Sequence, residues 1–367
     1  MRPVVLAAGG TGGHFFPAEA LAGELARRGL RVALITDARS GGLASPVFAG
    51  RECFIISGSG IAGRGLLRAA RSAAALAAGT WQARAILARL RPSAIVGFGG
   101  YPSVAPVLAS RTLRARPAVV LHEQNGVLGR ANRMLARHAD VLATSLAETT
   151  RVPPGIRTQL TGNPVRPAIV ASPYAPPRDA IRLLVLGGSL GARVFSDVVP
   201  PALALLPASL RSRLVVTQQC RAEDIERVRA AHAGSGVAAT LAPFFPNVAD
   251  LLAAAHLVIA RAGASTVAEL AVVGRPALLV PLPGAIDDHQ SANAAALAQA
   301  GGAWVIAQPD ATPAALASRL CALLADEAAL PRAAAAAAAQ GRPDAAARLA
   351  DLVETAISRR IHQESRA

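Results

Sequence analysis

Lysine is absent. All 38 basic residues of the 367-residue chain are arginine, which excludes a Walker A nucleotide loop, since that loop needs a lysine to reach the β- and γ-phosphates. Acidic residues are missing from one long stretch. Between Glu52 and Glu123 there is no Asp or Glu, while a series of arginines from Arg64 to Arg116 falls there, so one part of the molecule is strongly positive. Cysteine is scarce: Cys53, Cys220 and Cys321 are far apart, odd in number and without metal-ligand spacing, which reads as a reducing compartment without a disulfide framework. No uncharged apolar run approaches the roughly 20 residues a membrane-spanning helix needs. The short apolar start runs straight into glycines, too brief for a signal peptide. The chain is therefore expected to be soluble or to lie on a membrane surface. Its net charge of +15 and pI near 11.5 suit a polyanionic partner such as nucleic acid, an anionic membrane or a phosphorylated substrate. An arginine-only basic set also reads as coding bias, so the total decides less than its distribution.

What is present is a regular alternation. The length suggests two domains, and short β-rich apolar runs alternate with longer Ala/Leu/Arg segments, the pattern of parallel strands joined by crossover helices. Strands are expected at residues 3–8, 31–36, 93–98, 118–124 and 140–144, and again at 182–187, 213–218, 237–241, 256–260, 276–281 and 303–307. The proline-dense stretch 152–178 reads as an interdomain linker, and residues 312–360 as wholly helical. The fold class is α/β, with two Rossmann-like, doubly wound parallel-sheet lobes. One domain is expected at 1–160 and a second at 161–340. A helix at 341–367 is expected to pack back on the N-terminal lobe, although its Ala/Arg pattern suits either.

Three glycine turns mark ligand sites. "LAAGGTGGH", residues 6–14, ends a strand and starts a helix. Unpaired N–H groups at a helix N-terminus favour an anion, and glycines let it approach the backbone. Pro17 suits a first helical turn. A dinucleotide fingerprint fits poorly, because Phe15 occupies the third glycine position and the first acid at a second strand end, Asp37, comes late. "GGSLGAR" at 187–193 adds the Ser189 hydroxyl, and "ARAGASTVAELAVVG" at 260–274 opens a helix at Ser265 or Thr266. Ser189 and Thr266 read either as N-caps or as ligands of a diphosphate. Glu269, three residues after Thr266, reads either as half of a capping box or as a carboxylate for ribose hydroxyls. "DDHQSANA" at 287–294 likewise combines a near-capping box with groups suited to a sugar.

Taken in order, "GGTGGHFFPAEALAGEL", "GFGGYPS", "LHEQNGVLGRANR", "TGNPVR", "LGGSLGAR", "RAGASTVAEL" and "DDHQSANA" resemble the motifs of the bacterial MurG-type transferases, from residue 4 to about residue 300. The resemblance implies a GT-B glycosyltransferase with two lobes facing across a cleft, the acceptor on the first and the sugar nucleotide mainly on the second. It implies inverting transfer of GlcNAc from UDP-GlcNAc to lipid I, a polyprenyl diphosphate. The product is lipid II for peptidoglycan synthesis at the cytoplasmic face of the inner membrane, made with no metal and no other cofactor. Carried over by motif, Thr11, Gly12, Gly13, Asn125, Arg166, Ser189, Thr266 and Gln290 would contact UDP-GlcNAc, Glu269 its ribose and Phe245 the segment facing uracil. Where some relatives have paired glutamines, this chain has His289 before Gln290, which leaves the His289 contact open.

Such a transfer needs a group to take the acceptor hydroxyl's proton, and His titrates nearest neutrality. His14 is the leading candidate, against a plain role bonding the helix start. Glu123 is the second candidate or the group orienting His14, and His122 beside it reads equally as a buried strand residue. Tyr101 would line the acceptor pocket or plug a strand end. The Arg-rich stretch 60–91, with Leu, Ile and Trp81 interleaved, suits an anionic membrane surface or an ordinary surface helix. Two other functions compete: a non-hydrolysing UDP-GlcNAc 2-epimerase of the same architecture, and a nucleic-acid-binding module, for which seven motifs leave little room.

Overall fold

The computed structural model describes residues 2–9, 12–38, 45–57, 66–188 and 191–364. It divides into one compact unit of residues 1–166 with 344–367 and another of 167–343.

In the first unit the apolar runs become parallel strands β1 (Val4–Ala7), β2 (Val32–Thr36), β3 (Glu52–Ile55), β4 (Ala94–Gly97), β5 (Ala118–Glu123), β6 (Val141–Thr144) and β7 (Thr158–Leu160), in spatial order β3-β2-β1-β4-β5-β6-β7. The crossovers carry α1 (Gly12–Arg27), α2 (Leu66–Leu90), α3 (Gly100–Ser110) and α4 (Arg130–Leu135). All four residues of β1 are buried, as a strand covered on both faces requires. Val4 and Leu6 join one core with Leu21 and Leu25, and Val5 joins the other with Ile35, Ile95 and Leu87, the period-2 consequence of the pleat.

The second unit repeats the plan with β8 (Ile181–Leu186), β9 (Leu214–Gln219), β10 (Ala238–Ala242), β11 (Leu257–Ala260), β12 (Ala277–Leu279) and β13 (Ala303–Val305), in the order β10-β9-β8-β11-β12-β13. Its helices are α5 (Arg193–Ala204), α6 (Ala208–Arg211), α7 (Ile225–Gly234), α8 (Val248–Ala254), α9 (Ala264–Val273), α10 (His289–Gln299), α11 (Pro313–Ala325) and α12 (Ala329–Gln340). The last helix, α13 (Ala345–Glu364), belongs to the first unit. There Leu349, Leu352 and Val353 enter the α1-side core, and Arg28 of the α1 C-terminal turn pairs with Asp351 at 2.6 Å and with Glu24 at 2.7 Å. Hydrogen bonds from Arg27 and Arg28 hold the Glu24 carboxyl down at about 2.

Several expectations change. Residues 312–360 form three helices broken at 326–328 and 341–344, not one helical block. The stretch 152–178 contains β7, where Thr158 pairs with Leu142. β3 was not expected at all: it is a half-exposed edge strand whose charged Glu52 hides the apolar signal. Pro17 lies inside α1 rather than in its first turn, because the helix begins at Gly12.

In each sheet the order reverses beside the first strand, between β1 and β4 and between β8 and β11. Ligands of open parallel sheets bind beyond the carboxyl ends of the strands at this switch point. The first and third glycine turns follow β1 and β11, and the second follows β8.

Candidate functional site

In the first unit, His14 sits in the first turn of α1. Gly99 and Gly100, at the β4–α3 turn, have φ of +81° and +66°, and a β-carbon on either would stand 3.5 Å from the His14 ring. Only glycine supplies that backbone without strain, which explains the "GFGGYPS" spacing. Tyr101 follows in the first turn of α3, half-buried.

The partner of His14 is a residue the sequence did not single out. His14 Nδ1 is 2.9 Å from Gln124 Oε1. Gln124 is buried just past β5, and its Nε2 donates to Phe98 O at 3.1 Å, to His122 O at 3.2 Å and to His122 Nδ1 at 3.0 Å. In the sequence it shows only as a polar residue just past an apolar strand, in "LHEQN", which does not tell it from its neighbours. His122 is fully buried, 3.0 Å from Gly162 O through Nε2, and burial pulls its pKa down to about 4.

Glu123 does something else. Oε1 accepts from Asn125 N at 3.1 Å and Asn125 Nδ2 at 3.0 Å, and Oε2 accepts from Gly129 N and Asn132 Nδ2, both at 2.9 Å. The carboxylate is buried and shapes the 124–129 loop. The structure brings Gln124 to His14, and not the Glu123 carboxylate. Asn125 is thus oriented by Glu123, while Arg166, at the end of this unit, places its guanidinium 5.3 Å from the Phe16 ring centre.

In the second unit the N-terminus of α9 follows β11 with Gly263 at the cap position and no side-chain cap bond. Thr266 is the third helical residue, so it is not the N-cap, and the capping-box reading of Glu269 fails with it. Glu269 lies one turn further on, buried. α5 is capped by Ala192, again without a side-chain bond, so its N-cap is not Ser189. Both helix starts therefore keep N–H groups that no cap side chain satisfies, and these favour an anion.

The turn before α5 is tight. A β-carbon at Gly187 would stand 2.3 Å from Ala192 N. Gln219, also unforeseen, staples this turn: Gly187 N donates to its Oε1 at 3.0 Å, and its Nε2 donates to Gly188 O at 2.9 Å and Pro243 O at 3.1 Å. That last bond fixes the loop carrying Phe245, which is half-buried. Arg261, after β11, donates to Val280 O and Pro281 O, each at 3.0 Å. Gln290 accepts from Leu282 N at 3.0 Å, and buried Asn293 donates to Ala262 O at 3.1 Å. These bonds draw the 280–290 loop and α10 around the start of α9. Asp287 and Asp288 have φ of +55° and +53°, and Asp288 stands at the N-cap of α10, accepting from Ser291 Oγ at 2.8 Å. Among the described residues no group of three or more His, Cys, Asp or Glu gathers as a metal site would.

The glycosyltransferase family 28 N-terminal domain matches residues 4–144 and the family 28 C-terminal domain residues 182–349. A protein of Granulibacter bethesdensis named UDP-N-acetylglucosamine–N-acetylmuramyl-(pentapeptide) pyrophosphoryl-undecaprenol N-acetylglucosamine transferase is 63% identical over 362 residues, 97% of this chain and 94% of that protein. One of the same name from Acidiphilium cryptum is 56% identical, covering 98% of each chain. The crystal structure of Acinetobacter baumannii MurG is 30% identical with a TM-score of 0.80, covering 97% of this chain and 100% of that one. The chain belongs to the MurG-type transferases of glycosyltransferase family 28.

The fold is accordingly the two-lobed GT-B type, each sheet wholly parallel. Of the MurG-type motif residues, Gly12, Gly13 and His14 open α1, Tyr101 opens α3, and Glu123 to Asn125 end β5 and start its loop. Thr11 and Ser189 lie outside the described residues. His289 turns its Nδ1 to Ile286 O at 2.8 Å, so in this MurG-type chain the residue beside Gln290 bonds its own loop.

Proposed function

We propose that the chain transfers GlcNAc from UDP-GlcNAc to the 4-hydroxyl of the MurNAc of lipid I, making lipid II for peptidoglycan, with inversion at the anomeric carbon. The observation that carries the reading is 63% identity over 97% of the chain to a transferase of that name. The geometry suits the reaction. His14 Nε2 takes the proton of the acceptor hydroxyl as its oxygen attacks the anomeric carbon, and UDP departs from the opposite face. Tyr101 lines the acceptor side. The N-termini of α9 and α5 stabilise the leaving diphosphate in the place a metal ion holds in other transferases. Thr11, Gly12, Gly13, Asn125, Arg166, Ser189, Thr266 and Gln290 hold the donor, Glu269 accepts from its ribose and Phe245 borders its uracil. An epimerase role is set aside because the relatives at 63% and 56% identity are named as transferases.

We place the enzyme at the cytoplasmic face of the inner membrane, held from outside the bilayer. No described helix is long and apolar enough to cross a membrane. Trp81 on α2 and Ile55 on β3 are 73% and 60% exposed, with Arg71 and Arg84 exposed on the same helix. Exposed apolar side chains on a helix that also exposes arginines suit an anionic lipid surface and not nucleic acid.

The test is transfer of labelled GlcNAc to a lipid I analogue, with and without EDTA. The wild type should be EDTA-insensitive, and His14→Ala should lose roughly 10²- to 10⁴-fold in kcat, the worth of a general base. Formation of UDP-ManNAc without acceptor would establish the epimerase, full activity of His14→Ala would remove the base, and loss in EDTA would remove the metal-free step.

A further inference from the structure

His14 as base requires one ring nitrogen to carry no proton and to face the acceptor, and histidine offers two tautomers. Which one is present is set by the bond its other nitrogen makes. His14 Nδ1 meets the side-chain amide of Gln124, and an amide can present either oxygen or NH₂. The surroundings decide. On its other side the Gln124 amide faces two main-chain carbonyls, Phe98 O at 3.1 Å and His122 O at 3.2 Å, and a carbonyl only accepts. Turning the amide over would set its oxygen against both, in a site where Gln124 is 3% exposed and a lost hydrogen bond is not recovered from water.

From this geometry we infer that Gln124 is a positioning residue for the transfer. Two backbone carbonyls lock its amide, its oxygen then accepts the Nδ1 proton of His14, and the lone pair is left on His14 Nε2. The inference rests on His14 being the base, and it assigns the tautomer that makes it one.

His122 adds a second lock in the same direction. Its Nδ1 lies 3.0 Å from Gln124 Nε2 and its Nε2 lies 3.0 Å from Gly162 O. Since Gly162 O accepts only, His122 carries its proton on Nε2 and offers Nδ1 as a further acceptor to the Gln124 NH₂. Burial keeps the ring neutral, with its pKa pulled down to about 4, so this acceptor persists throughout the neutral range. Polarity thus runs one way, from His14 through Gln124 and His122 to Gly162 O. Glu123, next in sequence, takes no part, because both its oxygens are occupied by Asn125, Gly129 and Asn132.

The experiment is multiple-bond ¹H–¹⁵N spectroscopy on the full chain labelled at histidine, above the ordinary histidine pKa of about 6.5, with His14 assigned by its loss in His14→Gln. The wild type should show His14 protonated at Nδ1 and bare at Nε2. Gln124→Met, apolar and of similar length, should release the ring so that a large fraction carries its proton on Nε2. In transfer assays Gln124→Met should lower kcat at least about 10-fold, within the range a general base commands, with KM for UDP-GlcNAc changed less than about 2-fold. An Nε2–H ring in the wild type, or an unchanged Nδ1–H ring in Gln124→Met, would overturn the inference, and the wild-type spectrum decides even if that variant fails to fold. Failure of the base reads out separately, as full transfer by His14→Ala while the wild-type spectrum still shows His14 protonated at Nδ1.

Discussion

At the scale of single residues, adjacent side chains in "HEQN" have separate duties because a strand end sends successive side chains to opposite sides. His122 packs 5.4 Å from the Phe98 ring centre, Glu123 holds the loop, and Gln124 reaches His14. Glu123 is a buried carboxylate whose four accepted bonds all come from donors. Glu123→Gln replaces one acceptor by an NH₂ that must face N–H groups, whichever way the amide turns. Leaving buried groups unsatisfied costs roughly 2–4 kcal/mol here, so the expected outcome is a melting temperature lower by many degrees, with transfer at low temperature reduced less than in His14→Ala. Calorimetry beside the transfer assay checks this, and a wild-type melting point with abolished turnover would return Glu123 to a chemical role. Arg275 solves a comparable problem with the opposite charge. It is 1% exposed, with its guanidinium among the carbonyls of Leu252, Ala253, Ser172, Val273 and Gly274. The C-terminal ends of α8 and α9 point their partial negative charge at it.

At the scale of elements, helix position relative to the strands explains why the glycine turns matter more than the hydroxyls near them. α9 and α5 start with Gly263 and Ala192 at their caps, residues without a side-chain acceptor, so no cap side chain competes with an incoming anion there. α2 is placed by a different close approach. A β-carbon at Gly79 would stand 2.2 Å from Ser57 O, and Ser57 N donates to Gln82 Oε1 at 2.7 Å, so β3 and α2 lie against each other with Ile55 and Trp81 both exposed. If this pair of elements meets the membrane, Trp81→Ala should reduce co-sedimentation with anionic phosphatidylglycerol vesicles about 10-fold, the effect of losing one large buried side chain of 1.5–3 kcal/mol, and leave turnover of a water-soluble lipid I analogue unchanged. Equal binding by the variant would move the membrane contact elsewhere.

For the whole molecule, acid stability follows from histidines buried neutral. His122 falls from the ordinary 6.5 to about 4 through burial, and burial also lowers His232 and His256. A depressed histidine pKa means the unfolded chain binds the proton first, so this contribution is whole above pH 6.5 and is lost as pH falls towards 4. His122 alone accounts for about 3 kcal/mol across that window. Glu24, at about 2, acts in the same direction at lower pH, losing its contribution only below pH 4.5. Denaturant unfolding at pH 7.5 and pH 4.5 should therefore show a lower midpoint at the acid value. A flat profile would mean that His122 is charged or solvated in the folded state.

Much of this was written locally. Continuous apolar runs such as "VVLA" and "LVIA" announced buried parallel strands, and glycines after them announced turns at the switch points, because a strand covered on both faces needs no polar alternation. β3 and β7 escaped because edge strands bury only part of their surface, so Glu52 and Thr158 are tolerated there. His14 could be singled out from its place after the glycines, but its partner could not. The carbonyl of Phe98, which sets the Gln124 amide, is 26 residues away in the chain, and Gln219 reaches Gly187 across 32. The sequence by itself determined the alternation of strands and helices and the loops where ligands approach the backbone, since both follow from side-chain period and glycine freedom over a few residues. Only the tertiary structure decided which amide faces which imidazole and which amide staples the turn before α5, because hydrogen-bond direction depends on groups that meet only when distant strands lie side by side.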